Sequence, residues 1–144
     1  MTLTIERARA EDLDAVDHIL SQYQLPLDGL RDHLATTLVA RENGNVIGSA
    51  ALEVYEGGAL LRSVAVASGR AHQGLGRLLT EAALQLAAAV HVPAVFLLTT
   101  TAERYFRRFG FVRVDRTDVP ASVQQSVEFT SACPSSATVM RKRL

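Results

Sequence analysis

Cysteine is nearly absent: Cys133 is the only one in 144 residues, so no internal disulfide can form and nothing requires an oxidising compartment. Tryptophan is missing and aromatics make up 6% of the chain. Neither sign of charge is in excess, 15 Lys and Arg against 15 Asp and Glu, which removes bulk attraction to nucleic acid or an anionic membrane. The basic run Arg141-Lys142-Arg143 reads as a solvated end. There is no long apolar run either. The stretch from Ala82 to Val95 is broken by Gln85, His91 and Pro93, and is too short and too patterned to span a bilayer. Residues 1–7 alternate in polarity and lack the apolar region of a signal peptide. His18, His33 and His91 have no metal-ligand spacing with other His or Cys residues, so no metal is expected. An apolar share of 48% supports a buried core. These bounds predict a single cytoplasmic domain over residues 1–144, with no nucleic-acid or membrane partner; a homodimer is left open.

Hydrophobic period then places the elements. Leu3, Ile5 and Arg7 alternate as a strand, and Leu13, Val16, Ile19 and Leu20 form a helical stripe. Pro26 interrupts, and Asp28 is the expected N-cap of a short helix through Leu34. Thr37 to Ala40 and Val46 to Tyr55 flank an Asn43-Gly44 hairpin turn, and Leu60 to Ala67 is the next strand. Leu75, Leu78, Leu79, Ala82, Ala83, Leu86, Ala87 and Val90 keep a 3.6-residue period for four turns, ended by Pro93. The run Val95 to Leu98 predicts a strand buried on both faces. A short helix from Ala102 to Phe109 stops at Gly110; the strand Phe111 to Val114, a short helix from Pro120 and a last strand at Ala137 to Met140 follow.

The informative unit is Ser63-Val64-Ala65-Val66, a short loop, and Gln73-Gly74-Leu75-Gly76-Arg77 opening the long helix. Two glycines spaced by one residue let the backbone approach an anion, and free N–H groups with the helix dipole favour phosphate there. A dinucleotide fingerprint would require a third glycine, and an ATP P-loop a Gly-Lys-Ser/Thr; neither is present.

This unit resembles motif A of the GNAT acetyltransferases. Leu61-Arg62-Ser63, Phe96-Leu97-Leu98-Thr99-Thr100, Tyr105-Phe106, Gly110-Phe111, Val114-Asp115 and Val119-Pro120 extend the resemblance to the acetyltransferase domain of bacterial N-acetylglutamate synthases. They are also similar to the short N-acetyltransferases of arsenic-resistance operons, as is the ending Glu128-Phe129 through Cys133-Pro134-Ser135-Ser136-Ala137 to Met140. The resemblance implies the GNAT α/β fold, a mixed sheet of about seven strands with helices on both faces. It implies acetyl-CoA as co-substrate and a small-molecule amine as acceptor. The acceptor would be an acidic α-amino acid or a glutamate analogue containing arsenic or phosphorus; another amine, or a non-catalytic acetyl-CoA sensor, is the alternative.

Carried over residue by residue, Val64, Ala65 and Val66 present the thioester, and Ala71, His72, Gln73, Gly74, Leu75, Gly76 and Arg77 hold the pyrophosphate, with Tyr105 and Phe106 beside the cofactor. Two positions depart from the pattern. Ala71 replaces the usual Arg or Gln, so Arg70, His72 or Arg77 is expected to supply charge. Phe106 occupies the place of a tyrosine acid, and Tyr105 should point about 100° away around the helix. Glu53 is expected either to relay the amine's proton through water or to be a strand glutamate facing solvent. Arg62, sharing a face with Val64 and Val66, is expected to clamp a carboxylate or to pair structurally with an acid such as Glu53; Ser63 and Ser136 join it as acceptor contacts. Thr99 and Thr100 either assist the leaving thiolate or cap the next helix, for which Thr101 is the expected N-cap. Cys133 lacks a base nearby and is not expected to be a nucleophile.

Overall fold

The alternating N-terminal segment forms strand β1 (Leu3–Arg7) and the stripe begun at Leu13 forms helix α1 (Leu13–Gln22), in a computed structural model that describes residues 2–70 and 73–144. Strands β2 (Thr37–Glu42), β3 (Asn45–Tyr55) and β4 (Gly58–Val66) follow as antiparallel neighbours. Helix α2 (Leu75–Ala89) crosses over to strand β5 (Ala94–Thr99), which runs parallel to β4. Helix α3 (Glu103–Arg107), strand β6 (Val112–Val114), helix α4 (Ala121–Gln124) and strand β7 (Thr138–Arg143) complete the chain. Strand β7 inserts between β5 and β6, giving one seven-stranded mixed sheet in the order β1-β2-β3-β4-β5-β7-β6.

Both faces of the sheet are covered. Leu38, Leu52, Leu61, Val95 and Leu97 turn toward Leu75, Leu79, Ala83 and Ala87 of α2. On the other face Val39, Ala51 and Ala65 meet Leu13, Val16, Ile19 and Leu20 of α1, while Leu60, Phe96 and Val139 meet Val123 of α4. The β5 run is therefore buried on both faces, as its lack of alternation predicts. Leu20 and Leu79 keep no exposed surface, and burying each contributes about 1.5–3 kcal/mol.

Two expectations are corrected. Gly29, with φ +78°, takes the N-cap position that the sequence assigns to Asp28, and a 3₁₀ stretch (Leu30–Thr36) replaces the short helix. A left-handed turn there suits a residue without Cβ. The second correction lies in β4. Ser63 has φ +58°, and the β3 register shifts between Ser49 and Ala51, so the strand carries a bulge. The extra residue breaks strict alternation: Val64 and Val66 pack toward α2, whereas Arg62 lies on the α1 side with Ala65.

Candidate active site

The parallel β4–β5 ladder is only Ala59 with Val95 and Leu60 with Phe96. Among the described residues, β4 beyond Leu60 pairs only with β3, and β5 beyond Phe96 pairs only with β7. The two strands splay into a wedge whose facing backbone groups at residues 61–66 have no ladder partner on that side. The Ser63 bulge bends β4 away, and the Ser49 hydroxyl donates to the Ser63 carbonyl at 2.7 Å, pinning the bend. Such an edge accepts an extended, amide-bearing chain in place of a strand.

At the wide end of the wedge α2 begins. Gly74 is its N-cap with φ +78°; among the described residues no side chain caps the helix, and its first turn carries no acid. Among the described residues nothing but the helix start itself occupies the first N–H groups, which suits them to an anion. A Cβ placed on Gly74 would meet nothing within 4 Å, so that approach is open. A Cβ on Gly76 would come 2.9 Å from the Tyr105 hydroxyl, which places that hydroxyl at the first turn of α2 beside Val66. Glycine pair, helix start and open strand edge therefore converge, and their shape and polarity fit a phosphate followed by an extended amide chain. The Ala71 and His72 assignments lie outside the described residues. Arg70 is bound to Glu42 and Arg77 to Glu81, so both arginines expected to meet phosphate have acidic partners. Phe106 is in the core against Phe111, whereas its neighbour Tyr105 extends its hydroxyl to the first turn of α2.

On the α1 side of β4 lies a buried cluster of charge. Neither Arg62 nor Glu53 has any exposed side-chain surface, and Arg62 Nη1 is 2.8 Å from Glu53 Oε2. Arg62 also donates to the carbonyls of Asp28 (2.6 Å) and Pro26 (3.1 Å) and to Ser63 Oγ (3.2 Å), and its Nε lies 3.1 Å from Glu128 Oε2. Tyr55 donates to Glu53 Oε1 at 2.5 Å, and His33 Nε2 lies 3.7 Å from the same oxygen with its side chain 22% exposed. Burial acts to raise the Glu53 pKa, but Arg62, Ser126, Tyr55 and the nearby His33 prevail and hold it below the ordinary carboxylate range. Glu128 goes the other way: burial pushes it up to about 7, against the pull of Arg62. Burial, then Glu53, pushes the Tyr55 hydroxyl to about 12.

Other candidates fall around this frame. The Thr99 hydroxyl accepts from the Ala102 N–H at 2.9 Å and so caps the turn into α3, the role expected of Thr101. Thr99 and Thr100 line a cleft with Arg104, Arg107 and Thr138. Ser136 is exposed on the turn before β7. Cys133 Sγ lies 3.6 Å from Glu128 Oε1, and burial with that acid pushes the thiol up to about 12, away from nucleophilic chemistry.

Sequence reasoning missed Glu128, Tyr55, His33 and Tyr23. Tyr55 was within reach, because residues two apart on a strand share a face with Glu53. Tyr23 donates to the Val66 carbonyl at 2.6 Å, a contact between the end of α1 and the end of β4 that no local pattern signals.

Residues 33–113, more than half of the chain, match the family described as Acetyltransferase (GNAT) domain. The chain is 28% identical over 127 residues to the Uncharacterized N-acetyltransferase CT2212 of Chlorobaculum tepidum, covering 83% of this chain and 81% of that protein. It is 29% identical over 130 residues to the Amino-acid acetyltransferase of Mycobacterium tuberculosis, covering 83% and 74%. Among solved structures, Rv2747 from Mycobacterium tuberculosis, in complex with CoA, aligns with a TM-score of 0.83 at 25% identity over 98% of this chain and 99% of that one.

Proposed function

This chain belongs to the GNAT acetyltransferase family, and we propose that it moves the acetyl group of acetyl-CoA to the α-amino group of an acidic amino acid, glutamate or a glutamate analogue bearing phosphorus or arsenic. The observation that carries the acceptor class is the similarity, over 83% of the chain, to an amino-acid acetyltransferase. Acetyl-CoA supplies an acyl group already activated as a thioester. The chain supplies position: free N–H groups at the start of α2 for pyrophosphate, from Gln73 to Arg77, and the open edge of Val64, Ala65 and Val66 for the extended arm. A backbone N–H of that edge, aimed at the developing oxyanion, contributes about 3 kcal/mol, and orientation several more.

Transfer is direct, with no acyl-enzyme, since Cys133 is held as a thiol. The acceptor approaches from the α1 side, between the bulge at Ser63 and the exposed Ser136. Glu53 has no surface with which to meet an amine, so it enters as the anion behind the base. The proton acceptor in this reading is His33, the partly exposed neighbour of Glu53. The Tyr105 hydroxyl, from α3, lies at the first turn of α2 beside the proposed phosphate end. The CoA sulfur leaves as a thiolate, hydrogen-bonded by water or the Thr100 hydroxyl, and takes its proton from solvent.

The test is thiol release from acetyl-CoA with L-glutamate, a phosphorus-containing glutamate analogue, a polyamine and a peptide amine as acceptors. Release with the acidic amino acids supports the reading. Release only with the polyamine or the peptide would replace the acceptor class, and CoA binding without release from any amine would point to a sensor.

A further inference from the structure

The segment from Gln22, the last residue of α1, to Gly29, ahead of the 3₁₀ stretch, is fastened at two places to β4 and the turn that follows it. At one end the Tyr23 hydroxyl donates to the Val66 carbonyl and the Ser68 N–H donates to the Gln22 side chain. At the other, Arg62 donates to the carbonyls of Pro26 and Asp28. These anchors bracket the stretch of β4 that has no β5 partner. Between them Leu25 packs with the α1 cluster that includes Ala65, and Leu27 is 41% exposed. Gly29 closes the segment so tightly that a Cβ would come 2.9 Å from Val127 and 3.6 Å from Arg62 Nη1. The guanidinium is itself held from behind by Glu53 and Glu128.

We infer that Arg62 is a latch: it fixes the strap of residues 22–29 across the open stretch of β4 and thereby sets access for the acceptor, without touching acceptor or thioester. Planarity explains why an arginine is needed. A guanidinium presents donors in several fixed directions, so one side chain can face two carboxylates and two strap carbonyls together. A lysine would keep the charge and lose that span.

The inference rests on the acetyl-transfer reading only in its consequence for the acceptor, so two independent measurements test it. Amide hydrogen exchange is compared for peptides covering the strap and peptides covering β3 and β4, in wild type and Arg62→Lys. Exchange in the strap should rise by about ten-fold or more while β3 and β4 stay protected. In parallel, the KM for L-glutamate should rise about ten-fold with CoA affinity within about two-fold. A wild type inactive with L-glutamate would sink the acceptor reading, while strap exchange still decides the latch. Should Arg62→Lys not fold, the neutral triple variant Glu53→Gln, Arg62→Met, Glu128→Gln leaves no buried charge unpaired and is measured in its place. Strap exchange unchanged, or raised only in step with β3 and β4, would overturn the latch, as would failure of both variants to fold.

Discussion

Glu53 Oε2 and Arg62 Nη1 are 2.8 Å apart with both side chains wholly buried, and the second carboxylate, Glu128, approaches the same guanidinium from its Nε side at 3.1 Å. One cation thus faces two acids inside the domain. A buried pair gains little over an apolar pair of the same size, but removing one partner strands a charge. Arg62→Met alone should therefore cost about 3–5 kcal/mol, and the triple variant with Glu53→Gln and Glu128→Gln clearly less. Urea midpoints for the two proteins check this, and equal losses would show that the hydrogen bonds to Pro26 and Asp28, not the charges, carry the energy.

The two acids oppose each other in pH dependence. Glu128 is raised to about 7, so its contribution is fully present below its unfolded pKa of ~4.3 and is lost as pH rises through 7. Glu53 is lowered, so its contribution is present above ~4.3 and lost as pH falls through its folded value. Between pH 5 and 8 the wild type should lose stability on the order of 1–3 kcal/mol through Glu128, and Glu128→Gln should lose less. Denaturation at several pH values decides it; the same slope in the variant would mean that Glu128 is already ionised at pH 5.

Cys133 offers a simpler check. With its thiol pushed to about 12, alkylation of the native protein at pH 7.5 should be far slower than in urea, and Cys133→Ala should keep most activity. Rapid native labelling, or an acetyl group trapped on Cys133, would contradict direct transfer.

What the sequence revealed and what it hid follow from the range of the interactions. The four-turn stripe of α2, the unpatterned β5 run and the glycine pair at Gly74 and Gly76 are local signals, and each element lies where its period placed it. The bulge at Ser63 is not local: it depends on how β3 and β4 pair, so the faces assigned to Arg62 and Val64 came out wrong. The cluster is more distant still. Glu128 reaches Arg62 from the π-helical turn Glu128–Ala132, 66 residues along the chain, and neither residue type nor spacing foretells the meeting. Arg70 illustrates the converse: its position one place early in the motif suggested phosphate, but Glu42, from a strand earlier in the chain, holds it.

If His33 accepts the amine's proton, His33→Gln should lower kcat by about 10²-fold with acetyl-CoA affinity unchanged, since an amide cannot take up a proton. The deficit should shrink at high pH, as the α-ammonium of the acceptor, more basic in a free amino acid than the ~8 of a peptide terminus, loses its proton without help. A pH-independent deficit would assign His33 to packing against Tyr55, its edge-on neighbour at 6.0 Å.

The phosphate end is tested at Gly74. Its φ of +78° disfavours any side chain, a strain of about 1–2 kcal/mol, yet a Cβ there meets nothing within 4 Å. Gly74→Glu should therefore fold, with a modest fall in melting temperature, and should place a carboxylate in front of the free N–H groups of α2. Repulsion against the pyrophosphate and occupation of those donors act together, so CoA affinity should fall about 100-fold or more. Gly74→Ala separates the two effects: it carries the same backbone strain without the charge, and should lose far less. Calorimetric titration of CoA into both variants reads the difference directly. Equal losses would show that the left-handed turn alone matters, and undiminished binding by Gly74→Glu would move the phosphate site away from the start of α2.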